Sequence, residues 1–193
     1  FFGIASDHIV LPLKNSSAWF KSDSLRMKTL YFLVIALCTS FSTQANEPWL
    51  LNSKGYGPVK VGMTIAEAES FLKFKLNTFE NKPLDPECDY VSASGRHEGL
   101  DYMIQQGKIS RIEVSDRAIK TKSGAKVGDS TSKLKELFGS QLEIERHKYD
   151  DTGFYYYIWE IGKRHGVKFE IAADKVRKIY VGNESIDLVE GCF

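Results

Sequence analysis

Apolar and polar positions alternate most cleanly in two stretches that match without a gap at an offset of 67 residues. Gly99–Val114 reads Gly-Leu-Asp-Tyr-Met-Ile-Gln-Gln-Gly-Lys-Ile-Ser-Arg-Ile-Glu-Val, and Gly166–Val181 reads Gly-Val-Lys-Phe-Glu-Ile-Ala-Ala-Asp-Lys-Val-Arg-Lys-Ile-Tyr-Val. Leu100, Tyr102 and Ile104 share one face of a strand, as do Val167, Phe169 and Ile171. Ile112 and Val114, with Ile179 and Val181, supply the return strands, so each copy predicts a β-hairpin. The alternate positions are Asp101, Met103, Arg111 and Glu113, then Lys168, Glu170, Lys178 and Tyr180, the pattern of an antiparallel sheet with one solvated face. Ile109 and Val176 fall out of phase with Ile112 and Ile179 in both copies, which a β-bulge or a turn-plugging role explains.

The spacing changes to a helical one in two other places. Thr64 reads as an N-cap, and Glu67 three residues later completes a capping box. Ile65, Ala68, Phe71 and Leu72 then form an apolar stripe. Ser123–Ser130 overlays Gly57–Thr64 at an offset of 66, with Ser130 in the cap role, Leu134, Leu137 and Phe138 as the stripe, and Gly139 as a C-cap. Trp49-Leu50-Leu51 predicts an edge strand, Gly55–Pro58 and Ser94-Gly95 turns, and Lys73–Pro86 an irregular polar stretch. Cys88–Ala93, Gln141–Tyr149 and Phe154–Ile161 predict further strands. The expected fold is α+β: a tandem repeat of two helix-plus-antiparallel-sheet halves, 55–118 and 119–193.

Residues 1–26 show no sustained period. Met27-Lys-Thr29, the apolar run Leu30–Cys38 and the small-residue exit Ser42–Ala45 read as a secretory signal. The expectation is translation from Met27 with 1–26 as upstream read-through, cleavage after Ala45, and one exported domain over 46–193, periplasmic or secreted. The apolar run is about half the length that a membrane-spanning helix needs. Leu37 stands where a lipobox wants a small residue. Removing residues 1–45 takes away four basic and two acidic residues and leaves a net charge of −1. Such a near-neutral chain carries neither the basic footprint of a nucleic-acid binder nor a polybasic lipid patch.

Cys88 and Cys192 remain in the exported part, and a lone pair there is most simply a disulfide. It would close a loop of about 100 residues and tie the first half to the last residues. His97, His147 and His165 have no metal-ligand spacing, so neither a metal nor another cofactor is expected. Asp151-Thr-Gly153 shares its letters with an aspartic protease motif but lacks the apolar lead-in strand, and it reads as a hairpin loop. No phosphate loop, nucleophile elbow or dinucleotide fingerprint occurs, and the chain is read as non-enzymatic.

The order Val61-Gly-Met-Thr64 into an amphipathic helix and then strands resembles the Gly-Met-Thr repeat of two groups. These are the β-lactamase-inhibitor-protein-like domains and the small outer-membrane assembly lipoproteins of the SmpA type. Gly107–Val114, Thr121–Gly128 and Phe138-Gly139 are similar to the central block of an uncharacterised bacterial envelope-stress lipoprotein family. The resemblance implies a tandem-repeat sheet protein of the bacterial envelope that works by binding, as a hydrolase inhibitor or an envelope-stress factor. The alternative is a periplasmic module for a small ligand or glycan.

Phe154-Tyr-Tyr-Tyr-Ile-Trp-Glu-Ile161 is the most informative stretch for function. Alternation puts Tyr155, Tyr157, Trp159 and Ile161 on one face and Phe154, Tyr156, Ile158 and Glu160 on the other, so both faces are apolar. Either both are buried, by helix and by loops, or one is an interface, where aromatic side chains are enriched. The residues expected to form a protein-binding face are Met103, Arg111, Glu113, Tyr156, Lys178 and Tyr180.

Overall fold

The computed structural model describes residues 48–79, 82–93 and 98–192. The expected signal segment Met27–Ala45, the stretch before it, the Ser94-Gly95 turn and His97 lie outside the described residues.

The two repeated hairpins stand side by side at the centre of one sheet. The strands are β4 (Asn77–Thr78), β5 (Cys88–Ser92), β6 (Leu100–Gln105), β7 (Lys108–Val114), β8 (Glu143–Arg146), β9 (Phe154–Trp159), β10 (Gly166–Ala172) and β11 (Lys175–Gly182). Their order across the sheet is β4-β5-β6-β7-β11-β10-β9-β8, antiparallel throughout. The return strands form the seam, pairing Val114 with Ile179, Glu113 with Tyr180, Ile112 with Val181 and Arg111 with Gly182. Three two-residue strands, β1 (Leu51–Asn52), β2 (Gly55–Tyr56) and β3 (Val59–Lys60), make a separate small sheet. Helix α1 spans Ile65–Leu72 and helix α2 spans Thr131–Phe138. The protein is therefore α+β.

The capping chemistry is local, with a reciprocal box at α1 and a single side-chain cap at α2. Thr64 Oγ1 accepts from Glu67 N while Glu67 Oε2 accepts from Thr64 N, and Ser130 Oγ accepts from Lys133 N. Helix α1 stops at Lys73, in the left-handed region at φ 63, and α2 stops at Gly139.

Both hairpins carry a bulge at the same place. Met103 pairs with Arg111 but Ile104 pairs with Ile109, so Ser110 is the extra residue; in the second copy Glu170 pairs with Lys178 and Ile171 with Val176, leaving Arg177 extra. The bulge turns Ile109 and Val176 to the same side as Ile112 and Ile179, which accounts for their broken phase. It also frees backbone groups for the helices. Gly62 N donates to Ile109 O while Ile109 N donates to Met63 O, and Gly128 N donates to Val176 O while Val176 N donates to Asp129 O. Gly62 and Gly128 both sit at φ 91, a conformation that side chains disfavour. Each helix is thus hung from the bulge of its hairpin just before its first turn.

One apolar core lies between the sheet and this helical layer. Ala68, Leu72 and Leu134 pack with Leu100, Tyr102, Ile104, Phe169, Ile171 and Ile179, and with Leu51, Tyr56 and Val59 of the small sheet. The opposite sheet face departs from expectation. Met103, Arg111 and Glu113, read as solvated, are buried, because the segment after β11 crosses over them.

Candidate functional site: a charged and aromatic face under a strap

Asn183–Cys192 forms a strap across the sheet face that carries no helices. It opens with a 3-10 turn, Glu184–Asp187, in which the Asn183 side chain accepts from Ser185 N at 2.9 Å. Ile186 is fully buried against Tyr155 and Tyr157, with Trp159 and Tyr180 packed alongside. At its far end Cys192 is disulfide-bonded to Cys88 of β5, with the Cα atoms 5.3 Å apart. The expected disulfide is present.

Beneath the strap lies a dense group of charges. Arg111, 2% exposed, donates through Nε and Nη2 to Glu113 Oε1 at 3.0 and 2.7 Å, through Nη1 to the main-chain oxygens of Ser185 and Leu188 at 2.7 and 3.0 Å, and through Nη2 to the Tyr90 hydroxyl. Glu113 also accepts from Lys178 Nζ and from the Tyr90 hydroxyl, each at 2.9 Å. Burial pushes the Glu113 carboxyl up, but Arg111 and Lys178 outweigh it and hold the group below the usual carboxylate range. Burial, and next the Glu113 charge, push the Tyr90 hydroxyl up to about 12.

Lys168 is the second buried cation, also 2% exposed. Its Nζ lies 4.5 Å from the Tyr180 ring centroid, 4.9 Å from Tyr155 and 5.9 Å from Tyr157, and it donates to the Leu188 main-chain oxygen at 3.4 Å. The three rings supply cation–π attraction in place of water. Burial, and next the Arg111 charge, still bring the ammonium down to about 8, against the opposing pull of Asp187, Glu113 and Glu170. The Tyr180 hydroxyl donates to Glu170 and is pushed well above its ordinary range, first by burial and then by that bond.

Five of the six expected binding residues share this face. Met103 is fully buried, Arg111 and Glu113 form the buried pair, and Lys178 and Tyr180 are half-buried at the side. Tyr156 does not join them. It pairs with Phe169, which pairs with Ile179, and all three point into the helix-side core. The aromatic residues beside Tyr180 are instead Tyr155 and Tyr157, because Tyr157 pairs with Lys168 and Lys168 with Tyr180. Both faces of β9 are covered, by the helical layer and by the strap. Sequence reasoning left Lys168, Tyr155 and Tyr157 out of the expected site, and it passed over Tyr90 and the strap itself. The alternation of Tyr155 and Tyr157 was visible, but their alignment with Tyr180 depends on the length of the β9–β10 turn, which alternation does not encode.

His147 has a local role. His147 Nδ1 accepts from Tyr149 N and Asp150 N, and its ring lies 4.5 Å from that of Tyr155. Asp151-Thr-Gly153 is part of the β8–β9 hairpin loop, closed by Gly153 N donating to Asp150 O. Among the described residues no three His, Cys, Asp or Glu side chains converge on a metal position. Among them, too, no helix is long and apolar enough to cross a membrane.

Two open depressions flank the covered face. One, of about 560 Å³, lies between Phe79 and the disulfide and is lined by Pro83, Asp89, Tyr90 and Asp101. The other, of about 610 Å³, lies at the β6–β7 turn and is lined by Glu87, Gln105, Lys108, His165 and Asn183.

No protein-family model and no curated protein matches this chain. Among solved structures it is similar to the uncharacterized protein yfeY from Escherichia coli, at 16% identity and a TM-score of 0.46, over 69% of this chain and 99% of that one.

Proposed function

We propose that this chain is an exported, non-enzymatic protein of the bacterial envelope that binds another protein. The observation that carries the reading is the placement of large exposed side chains around the strap. Phe79 is 69% exposed above the groove beside the disulfide, Tyr149 is equally exposed with its hydroxyl bonded to Glu190, and Leu188 is 43% exposed on the strap. Aromatic side chains have few rotatable bonds to order on docking and bury a large area. A hydrolase inhibitor and an envelope-stress factor both fit such a surface. The signal-like segment 27–45 and the disulfide support export.

The same reading takes the sheet as two duplicated halves. The matching bulges, the matching Gly62 and Gly128 clamps and the offset of 67 residues support it.

A test is affinity capture from an envelope extract with residues 46–193, comparing the natural chain with Phe79→Ser. The expected result is a stoichiometric protein retained by the first and lost with the second. Retention of no protein would count against the reading. The second reading, a small-ligand or glycan module, draws on the polar cleft lined by Glu87, Gln105, Lys108, His165 and Asn183. Its mark would be saturable binding of a saccharide that Gln105→Ala weakens and Phe79→Ser does not.

A further inference from the structure

The sheet holds the strap as a protein holds a peptide. Arg111 Nη1 takes the oxygens of Ser185 and Leu188, Lys168 Nζ takes the Leu188 oxygen, and Ile186 fills an apolar seat between Tyr155 and Tyr157. Two cations therefore read main-chain carbonyls, which every peptide carries, and one seat reads a side chain. Docking is also imperfect, because the Ser185 hydroxyl is buried without a hydrogen-bond partner among the described residues.

The face beneath would survive uncovering. Arg111 keeps both of its bonds to Glu113, Glu113 keeps Lys178, and Lys168 keeps the Tyr155 and Tyr180 rings. The latch, meanwhile, is reachable. Cys88 and Cys192 are only half-buried and line the open groove with Phe79 and Pro83.

We propose that the strap is a removable cover: a dithiol reductant cleaves Cys88–Cys192, the strap lifts, and Arg111 and Lys168 take the carbonyls of an extended peptide supplied by another molecule. A thiolate of the reductant attacks one sulfur to form a mixed disulfide, and its second thiol then releases the remaining cysteine. Two electrons and two protons pass to Cys88 and Cys192, and the reductant leaves as its own disulfide.

Acylation of the whole chain by acetic anhydride, read residue by residue with mass spectrometry, tests this. In the oxidised protein Lys168 reacts far less than the exposed Lys122. Dithiothreitol raises Lys168 acylation at least about tenfold while amide exchange in β6, β7, β10 and β11 stays slow. A synthetic peptide of sequence 183–191, added in the millimolar range to compete with the tethered strap, restores the protection. The same peptide carrying Ile186→Asp does not. Three results would each overturn the proposal: Lys168 still protected after reduction, exchange protection lost across the whole sheet, or no effect of the natural peptide.

Discussion

The Arg111 guanidinium donates to the Ser185 carbonyl oxygen at 2.7 Å, joining the centre of the sheet to a residue 74 positions later in the chain. Its Nε and Nη2 groups hold Glu113 at the same time, so one side chain neutralises a buried carboxylate and fixes the strap. Arg111→Met keeps the stem and removes both functions. The expected loss is about 3 kcal/mol in urea unfolding, since a buried charge is left with fewer partners. Arg111→Met combined with Glu113→Gln should lose less than the sum of the single changes, the mark of a coupled pair.

Lys168 sets a pH dependence whose sign follows from its lowered value of about 8. Between about pH 8 and pH 10 the unfolded chain binds this proton and the folded chain does not, so stability rises with pH. Below about 8 the ammonium is charged in both states and the penalty is constant. Tyr157 and Tyr180, pushed up mainly by burial, act the other way once unfolded tyrosines ionise near pH 10. Unfolding free energies of the natural chain and of Lys168→Met, measured from pH 7 to 10, should converge by about 2–3 kcal/mol.

Gly182 sits at the seam opposite Arg111, where an added Cβ would lie 2.4 Å from Ser110 O and 3.0 Å from Arg111 Cα. Both contacts are backbone and have no rotamer to move. Gly182→Ala should therefore cost about 3 kcal/mol or more, seen as a lowered melting temperature. Gly62→Ala meets no neighbour within 4 Å and is penalised only by its φ of 91, at about 1 kcal/mol.

Tyr102 is fully buried in the helix-side core, and its hydroxyl has no hydrogen-bond partner among the described residues. Tyr102→Phe keeps the ring and removes a desolvated polar group. Stability should rise by about 1 kcal/mol in denaturant unfolding.

The Cys88–Cys192 bond closes a loop with a sequence separation of 104. Replacing both cysteines by serine should lower global stability by up to about 4–5 kcal/mol in the chain-entropy account. The unreduced chain over 46–193 should show no alkylatable thiol by mass spectrometry.

Much of the fold was legible because its signals are local. Thr64 with Glu67 announced α1, Ser130 announced α2, and the period of two in Leu100, Tyr102 and Ile104 announced β6 and its inward face. The disulfide followed from there being two cysteines after residue 45. What stayed hidden was long-range. Arg111, Glu113 and Lys168 look like residues of a solvated face, and only a segment more than ten residues from each of them makes them interior. Tyr156 was assigned to the wrong side because parity within β9 is visible, whereas parity between β9 and β11 passes through two turns.

The strand order carries a consequence for how the chain finds its structure. Within β4-β5-β6-β7 and within β11-β10-β9-β8 every pairing is between strands consecutive in sequence, so each set forms on local contacts. The β7–β11 seam alone in this sheet brings distant segments together, and such non-local closure is the slow event in folding of low-contact-order parts. The strap that follows β11 carries Cys192 across that seam to Cys88 of β5, so the native disulfide spans the one non-local junction of the sheet. Oxidation of the pair therefore locks the two locally formed halves of the sheet to each other.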